Sequence, residues 1–212
     1  VAAGSLVAES IDIATDATWA TVFDLGADEA SGAVHQSRSR SLDVQGDAAY
    51  VGWCGPCNVL GPDSTFQRGI ATNVGGDQPP QKGTSNGWHQ ASARGLPNRY
   101  IYNIHIDPQD VRTIYVTLGE YSTARWLPSG QYLDTNPGIG TGHVFKSTDA
   151  GETFTDISGD LPDVVTTAII RRGNQLIVGN DLGAFISVDL SGKNWAPLGE
   201  VPNVPIAQFV IH

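Results

Sequence analysis

The run Ser147-Thr148-Asp149-Ala150-Gly151-Glu152-Thr153-Phe154 leaves this chain little local freedom. A short carboxylate such as Asp149 accepts hydrogen bonds from backbone N–H groups just after it, and the hydroxyl of Ser147 can do the same more weakly. Gly151 reaches a positive φ at low steric cost. Thr153 returns the backbone to extended form, and Phe154 offers an aromatic ring to a core. The flanks agree: 143–146 reads as one strand and 153–157 as the next. The pattern S-x-D-x-G-x-T-F therefore predicts a self-bonded turn joining two antiparallel strands.

This turn sits inside a repeat. Before it come alternating runs at 100–106 and 113–117, separated by the turn Asp107-Pro108-Gln109-Asp110. After it, Gly159-Asp160-Leu161-Pro162 closes the unit. The same order is legible upstream, with strands near 42–44, 48–52, 69–73 and 88–92, closed by Gly95-Leu96-Pro97-Asn98. It returns downstream at 166–170, 175–178, 184–186 and 195–198, closed by Val201-Pro202-Asn203. Residues 187–195 form a degenerate copy of the turn, with one extra residue before Gly192. Four strands in about 40 residues is the size of a propeller blade. The expected fold is all-β, a β-propeller with blades at 34–98, 99–163 and 164–202 and partial strands at 1–33 and 203–212. Within the first segment, 5–13 and 19–25 read as two strands. Ile104, Tyr115, Phe145, Phe154, Val178, Phe185 and Trp195 are the expected core.

With those five diagnostic positions (Ser147, Asp149, Gly151, Thr153 and Phe154) the chain resembles the Asp-box, or BNR, hairpins of sialidase-like and sortilin-like propellers, from about residue 39 onward. The resemblance is closest to secreted, glycosyl-hydrolase-like or sortilin-like repeat proteins. In that family the box is a structural turn remote from any catalytic centre. The resemblance implies an extracellular, glycan-active or glycan-binding propeller, with glycoside hydrolysis as the implied activity. The alternative it implies is a non-catalytic propeller that binds protein or peptide, or scaffolds an assembly. A closed propeller needs roughly four to eight blades. About three legible blades therefore predict completion by a longer parent chain or by neighbouring copies.

Composition narrows the partners. Lys plus Arg number 12 against 22 Asp plus Glu, for a net charge of −10. That balance speaks against nucleic acid and anionic membranes. No apolar run is long enough to span a bilayer, and no signal peptide is visible. Hydrophobic residues make up 40% of 212, enough for a substantial core. No cofactor is called for, and the five histidines (35, 89, 105, 143, 212) lack metal-ligand spacing.

Trp53-Cys54-Gly55-Pro56-Cys57 has the look of a thioredoxin redox motif, whose first cysteine needs a helix N-terminus. Asn58-Val59-Leu60-Gly61-Pro62 cannot supply that helix. Cys54 and Cys57 are expected to staple a loop, as a local disulfide or as a pair of free thiols. Glycoside hydrolysis needs paired carboxylates, and Asp63, Asp77, Glu120, Asp134 and Asp181 are the loop candidates, mostly read as solvated acids. Asp107, Asp110, Asp149 and Asp189 read as turn formers. Nine scattered arginines form no triad for a sugar carboxylate. The long insertion 119–142 carries Glu120, Tyr121, Arg125, Trp126, Tyr132 and Asp134. Its aromatic faces suit sugar rings and its charged groups suit hydroxyls, unless Trp126 and Tyr132 merely pin the loop. The catalytic residues stay unassigned.

Overall fold

The computed structural model describes residues 2–3, 6–12, 16–25, 38–55, 67–76, 85, 87–119, 141–200 and 203–210. Strands β1 (Ala2–Ala3), β2 (Leu6–Asp12) and β3 (Asp16–Asp24) form a three-stranded sheet. The next sheet holds β4 (Arg38–Gln45), β5 (Ala48–Gly55), β6 (Gln67–Thr72) and β7 (His89–Ala91). A third holds β8 (Ile101–Asp107), β9 (Asp110–Leu118), β10 (Val144–Ser147) and β11 (Thr155–Asp156). The last holds β12 (Thr166–Arg172), β13 (Gln175–Asn180), β14 (Gly183–Ser187) and β15 (Trp195–Pro197). Within the sheets all strand pairings are antiparallel and spatial order follows chain order, so three sheets are four-stranded meanders. Among the described residues there is no helix, and so none long and apolar enough to cross a membrane.

The sheets stack face to face in chain order, a propeller-like arrangement of blades. Side chains alternate across a strand, and here both faces are covered. On β5, Ala49 and Val51 join Val7 and Val22 of the first sheet, and Leu25 just after it, in one core cluster. Tyr50, between them, points the other way and packs with Ile104, Ile114 and Phe145 of the third sheet. On β9, Ile114 and Val116 face that cluster, whereas Tyr115 packs with Ile169, Leu176, Val178 and Trp195 of the last sheet. Burial on both faces is why these strands read as continuous apolar runs. Six of the seven expected core residues are buried, and Phe185 is half-buried against the last cluster.

The turn around Asp149 bonds to itself as its residues predict. Ser147 Oγ donates to Asp149 Oδ1 at 2.7 Å and accepts the Gly151 N–H at 2.9 Å. Asp149 accepts the Thr153 N–H at 2.9 Å and the Thr153 hydroxyl at 2.5 Å. Burial opposes ionisation of Asp149, but the Thr153 and Ser147 bonds outweigh it and hold its carboxyl below the usual range. The downstream copy is wired differently. Asp189 accepts from Ser191 N–H, and Ser187 Oγ turns back to accept the Leu176 N–H.

Each turn also docks on the segment that closes the preceding meander. The Phe154 N–H reaches Arg94 O at 2.8 Å, and the Ala93 N–H reaches Gly151 O at 3.0 Å. A side chain on Gly95 would collide with the Phe154 carbonyl, and one on Gly159 with the carbonyls of Gly192 and Lys193. Both glycines also hold positive φ. That is a tertiary reason for glycine in each closing segment.

Asp149→Ala is expected to lower stability by about 1 kcal/mol, the modest end of the range for charged hydrogen bonds because the carboxylate is largely in water. Urea unfolding checks this. Loss of more than about 3 kcal/mol would mean that docking, not the turn's own bonds, depends on the carboxylate.

Candidate functional site

The first strands of the three meanders lie side by side. Asp43 of β4 accepts the Ile106 N–H of β8 at 2.7 Å, and Gln45 Nε2 donates to Pro108 O at 3.2 Å. Arg171 of β12 pairs with Asp107 of β8. The pairs 43–106 and 45–108 advance together, and so do Thr167 beside Asn103 and Arg171 on Asp107, so β4, β8 and β12 run in the same direction. Two clefts of about 360 and 420 Å³ open along them and share Leu42, Asn103 and Gln208, forming one groove. Residues 203–210 carry no strand and are mostly exposed. They pass along the groove, anchored where the Ile206 N–H meets Asn180 O at 3.2 Å.

At the groove's upper end stands Arg40. Its guanidinium carbon lies 5.4 Å from the Tyr100 ring centre and 5.3 Å from that of Tyr102. Two aromatic faces on one cation fix its position without neutralising it. Tyr100 packs on Cys54, and Tyr102 packs against both. The backbone of Gly119 lies so close to the Tyr102 ring that any side chain there would collide with it. Among the described residues no carboxylate pairs with Arg40, and no hydrogen bond ties down the side-chain amides of Asn103 or Gln208.

Further along, Asp43 accepts its own neighbour's N–H, Val44, at 2.9 Å and faces His105 Nδ1 at 3.5 Å. Burial works against its ionisation, but His105 and the Ile106 and Val44 N–H groups outweigh it, so the carboxyl sits below the usual range. The His105 ring stacks on Tyr115 at 6.4 Å and 24°. The Tyr115 hydroxyl donates to Asp107 Oδ2 at 3.1 Å, and Arg171 Nη1 reaches both oxygens of that carboxylate. The sequence around Asp107 predicts a turn former. Asp107 does accept the Gln109 N–H at 2.9 Å, yet it is also half of a buried ion pair between two sheets.

Asp43 is the one carboxylate among the described residues that line the groove. It is held ionised, which is wrong for donating a proton to a leaving group. The described groove thus offers positioned donors and acceptors for binding rather than an acid pair. Of the loop candidates, Glu120, Tyr121, Arg125, Trp126, Tyr132 and Asp134 lie outside the described residues, as do Asp63, Asp77 and Cys57. The connection that carries the first six leaves β9 after Leu118 and rejoins β10 at Val144. It does so at the Arg40 end of the groove, where the Gly119 N–H meets Tyr100 O at 2.9 Å. Asp181 stands at the β13–β14 turn. Cys54 is fully buried on strand β5 and disulfide-bonded. In the sequence Arg40 is one of nine scattered arginines, and His105 lies within the alternating run 100–106. The signal available for both was polar residues at 40–43 and 102–105 on strands that belong to the interior.

The same end holds His143, 2% exposed. Its Nε2 lies 2.7 Å from Asp163 Oδ1 and its backbone N–H donates to Ser158 Oγ at 2.7 Å. Burial first, and then the Arg99 charge, push its pKa down, against a smaller opposing pull from Asp163. A histidine whose folded pKa is depressed takes up its proton in the unfolded chain first. Stability is therefore full above the ordinary value near 6.5 and falls as pH drops below it. Melting scans between pH 8 and 5 should show that loss, with a flatter profile for His143→Gln. An unchanged slope in the variant would remove His143 from the account.

No protein-family model matches the chain, and no curated protein does. Among solved structures it is similar to the crystal structure of the GH74 xyloglucanase from Xanthomonas campestris, with a TM-score of 0.41 and 13% identity. The match covers 74% of this chain and 22% of that one, so the chain spans about a fifth of the enzyme's length. Similarity of that depth transfers no residue roles.

Proposed function

We propose that this chain is part of a glycan-binding β-propeller of Asp-box type, acting outside the cell, with the groove along β4, β8 and β12 as its binding site. The observation that carries the reading is Arg40, held between Tyr100 and Tyr102 beside the side-chain amides of Asn103 and Gln208. Oligosaccharides present dense hydroxyls and few charges. A shallow cleft with rigid donors and amides that both give and accept hydrogen bonds suits them. The self-bonded turn at Ser147 and Asp149 supports the Asp-box assignment. The disulfide at Cys54 supports an oxidising compartment.

Calorimetric titration with β-glucan, xyloglucan and uronic-acid oligosaccharides tests the reading. At least one should bind, and Asn103→Ala should weaken it by about tenfold, the equivalent of one hydrogen bond of about 1.4 kcal/mol. Binding that Asn103→Ala leaves untouched would place the site elsewhere.

A further inference from the structure

We infer that the sugar recognised in this groove carries a carboxylate, as uronic acids do, and that Arg40 is the group that reads it. The inference rests on the glycan-binding reading above and adds the ligand's charge. The chain has 22 acidic side chains and only 12 Lys plus Arg. A cation left without an acid partner runs against that balance, yet among the described residues Arg40 has only the two tyrosine rings. Rings hold a guanidinium by its faces and leave its N–H edges for a ligand. Those edges match a carboxylate in a two-pronged arrangement that a neutral hydroxyl cannot fill.

The rest of the groove limits the charge. Three residues along β4 stands Asp43, whose oxygens take the Val44 and Ile106 N–H groups and face His105. A densely charged polyanion laid along the groove would meet this carboxylate and be repelled. Isolated carboxylates separated by hydroxyl-bearing rings fit: one charge at Arg40, then neutral contacts at Asn103 and Gln208. Among the described residues the groove has one unneutralised cation, which suits a monoanion better than a phosphate dianion.

The test is calorimetric titration of the whole chain with an otherwise neutral oligosaccharide that bears a single uronic acid residue, its methyl ester, a neutral glucan oligosaccharide of equal length and a sulfated one. The free acid should bind about tenfold more tightly than its ester, a preference that shrinks with added salt because Arg40 is exposed. Arg40→Gln should abolish the preference, so that acid and ester bind alike, and Arg40→Lys should restore part of it. The acid-to-ester comparison needs no variant, so it stands even if a substitution impairs folding. Equal binding of acid and ester would overturn the inference and leave the glycan reading in place. Tighter binding of the sulfated sugar than of the uronide would overturn the carboxylate assignment. A preference that survives Arg40→Gln would overturn the role of Arg40. Binding of none of the sugars would overturn the glycan reading and this inference with it.

Discussion

Arg171→Met is expected to destabilise the protein by about 3–5 kcal/mol, because it leaves the Asp107 carboxylate buried without its cation. Asp107 and Arg171 are 3% and 8% exposed. Arg171 holds both oxygens of Asp107, Gln109 Oε1 at 2.8 Å and Gly173 O at 2.7 Å. The pair joins two sheets, so its loss weakens their docking as well as one bond. For a chain of this size the melting temperature should fall on the order of 10 °C. Replacing both partners, Arg171→Met with Asp107→Leu, should recover a good part of the loss, since a buried pair exchanged for apolar groups is often neutral. A single variant as stable as the parent would show that water reaches the carboxylate.

The same carboxylate makes a pH prediction. Burial raises the Asp107 pKa, but the Arg171 and Gln109 bonds and the Tyr115 hydroxyl more than offset this, and it lies below the ordinary 3.8. Below 3.8 the unfolded chain binds the proton before the folded one does. The pair's contribution is therefore complete above that value and is lost as pH falls through the folded pKa. This acid loss lies below the His143 window, so two separate falls are expected on acidification.

Phe145→Ala should cost about 3–5 kcal/mol, the range for deleting a buried aromatic ring. Phe145 is 2% exposed and sits in the cluster shared by the second and third sheets, with Tyr50 and Ile70 on one side and Ile104 and Ile114 on the other. Backbone glycine at 142 leaves room for its ring tip. Chemical denaturation gives the number. A loss under about 1 kcal/mol would mean that the two sheets close over the cavity, and that their spacing is softer than a stacked core allows.

Much of the architecture was legible because its causes are local. Period-two alternation, turn residues between runs, and closing Pro and Gly segments recur at one spacing, and each meander pairs only neighbours in sequence. The run 48–52 could be assigned to a strand because both its faces are covered and it reads as a continuous apolar run. Which face serves which neighbour was not legible: Tyr50 and Val51 both suit a buried strand face, and only stacking sends them to different clusters. The turn at Asp149 was legible down to its bonds, since all its partners lie within four residues. Its docking on residues 93–95 was not, because the partner is a backbone segment whose only mark is a glycine.

The groove shows the same division. Its contacts join residues 63 and 64 apart in the chain, Ile106 to Asp43 and Arg171 to Asp107. No local pattern marks such a pair, since a polar residue on an alternating strand looks the same whether it faces solvent, an ion partner or a cleft. By itself the sequence determined the strands, the turns, the repeat and the acidic balance, because these depend on each residue's own backbone preference and on neighbours a few positions away. The tertiary structure alone decided that Arg40 lies between two tyrosines, that Asp107 is neutralised by Arg171, and that three first strands run together to form a groove. Those outcomes depend on how the twisted sheets pack, which is set by the summed fit of their faces rather than by any one residue.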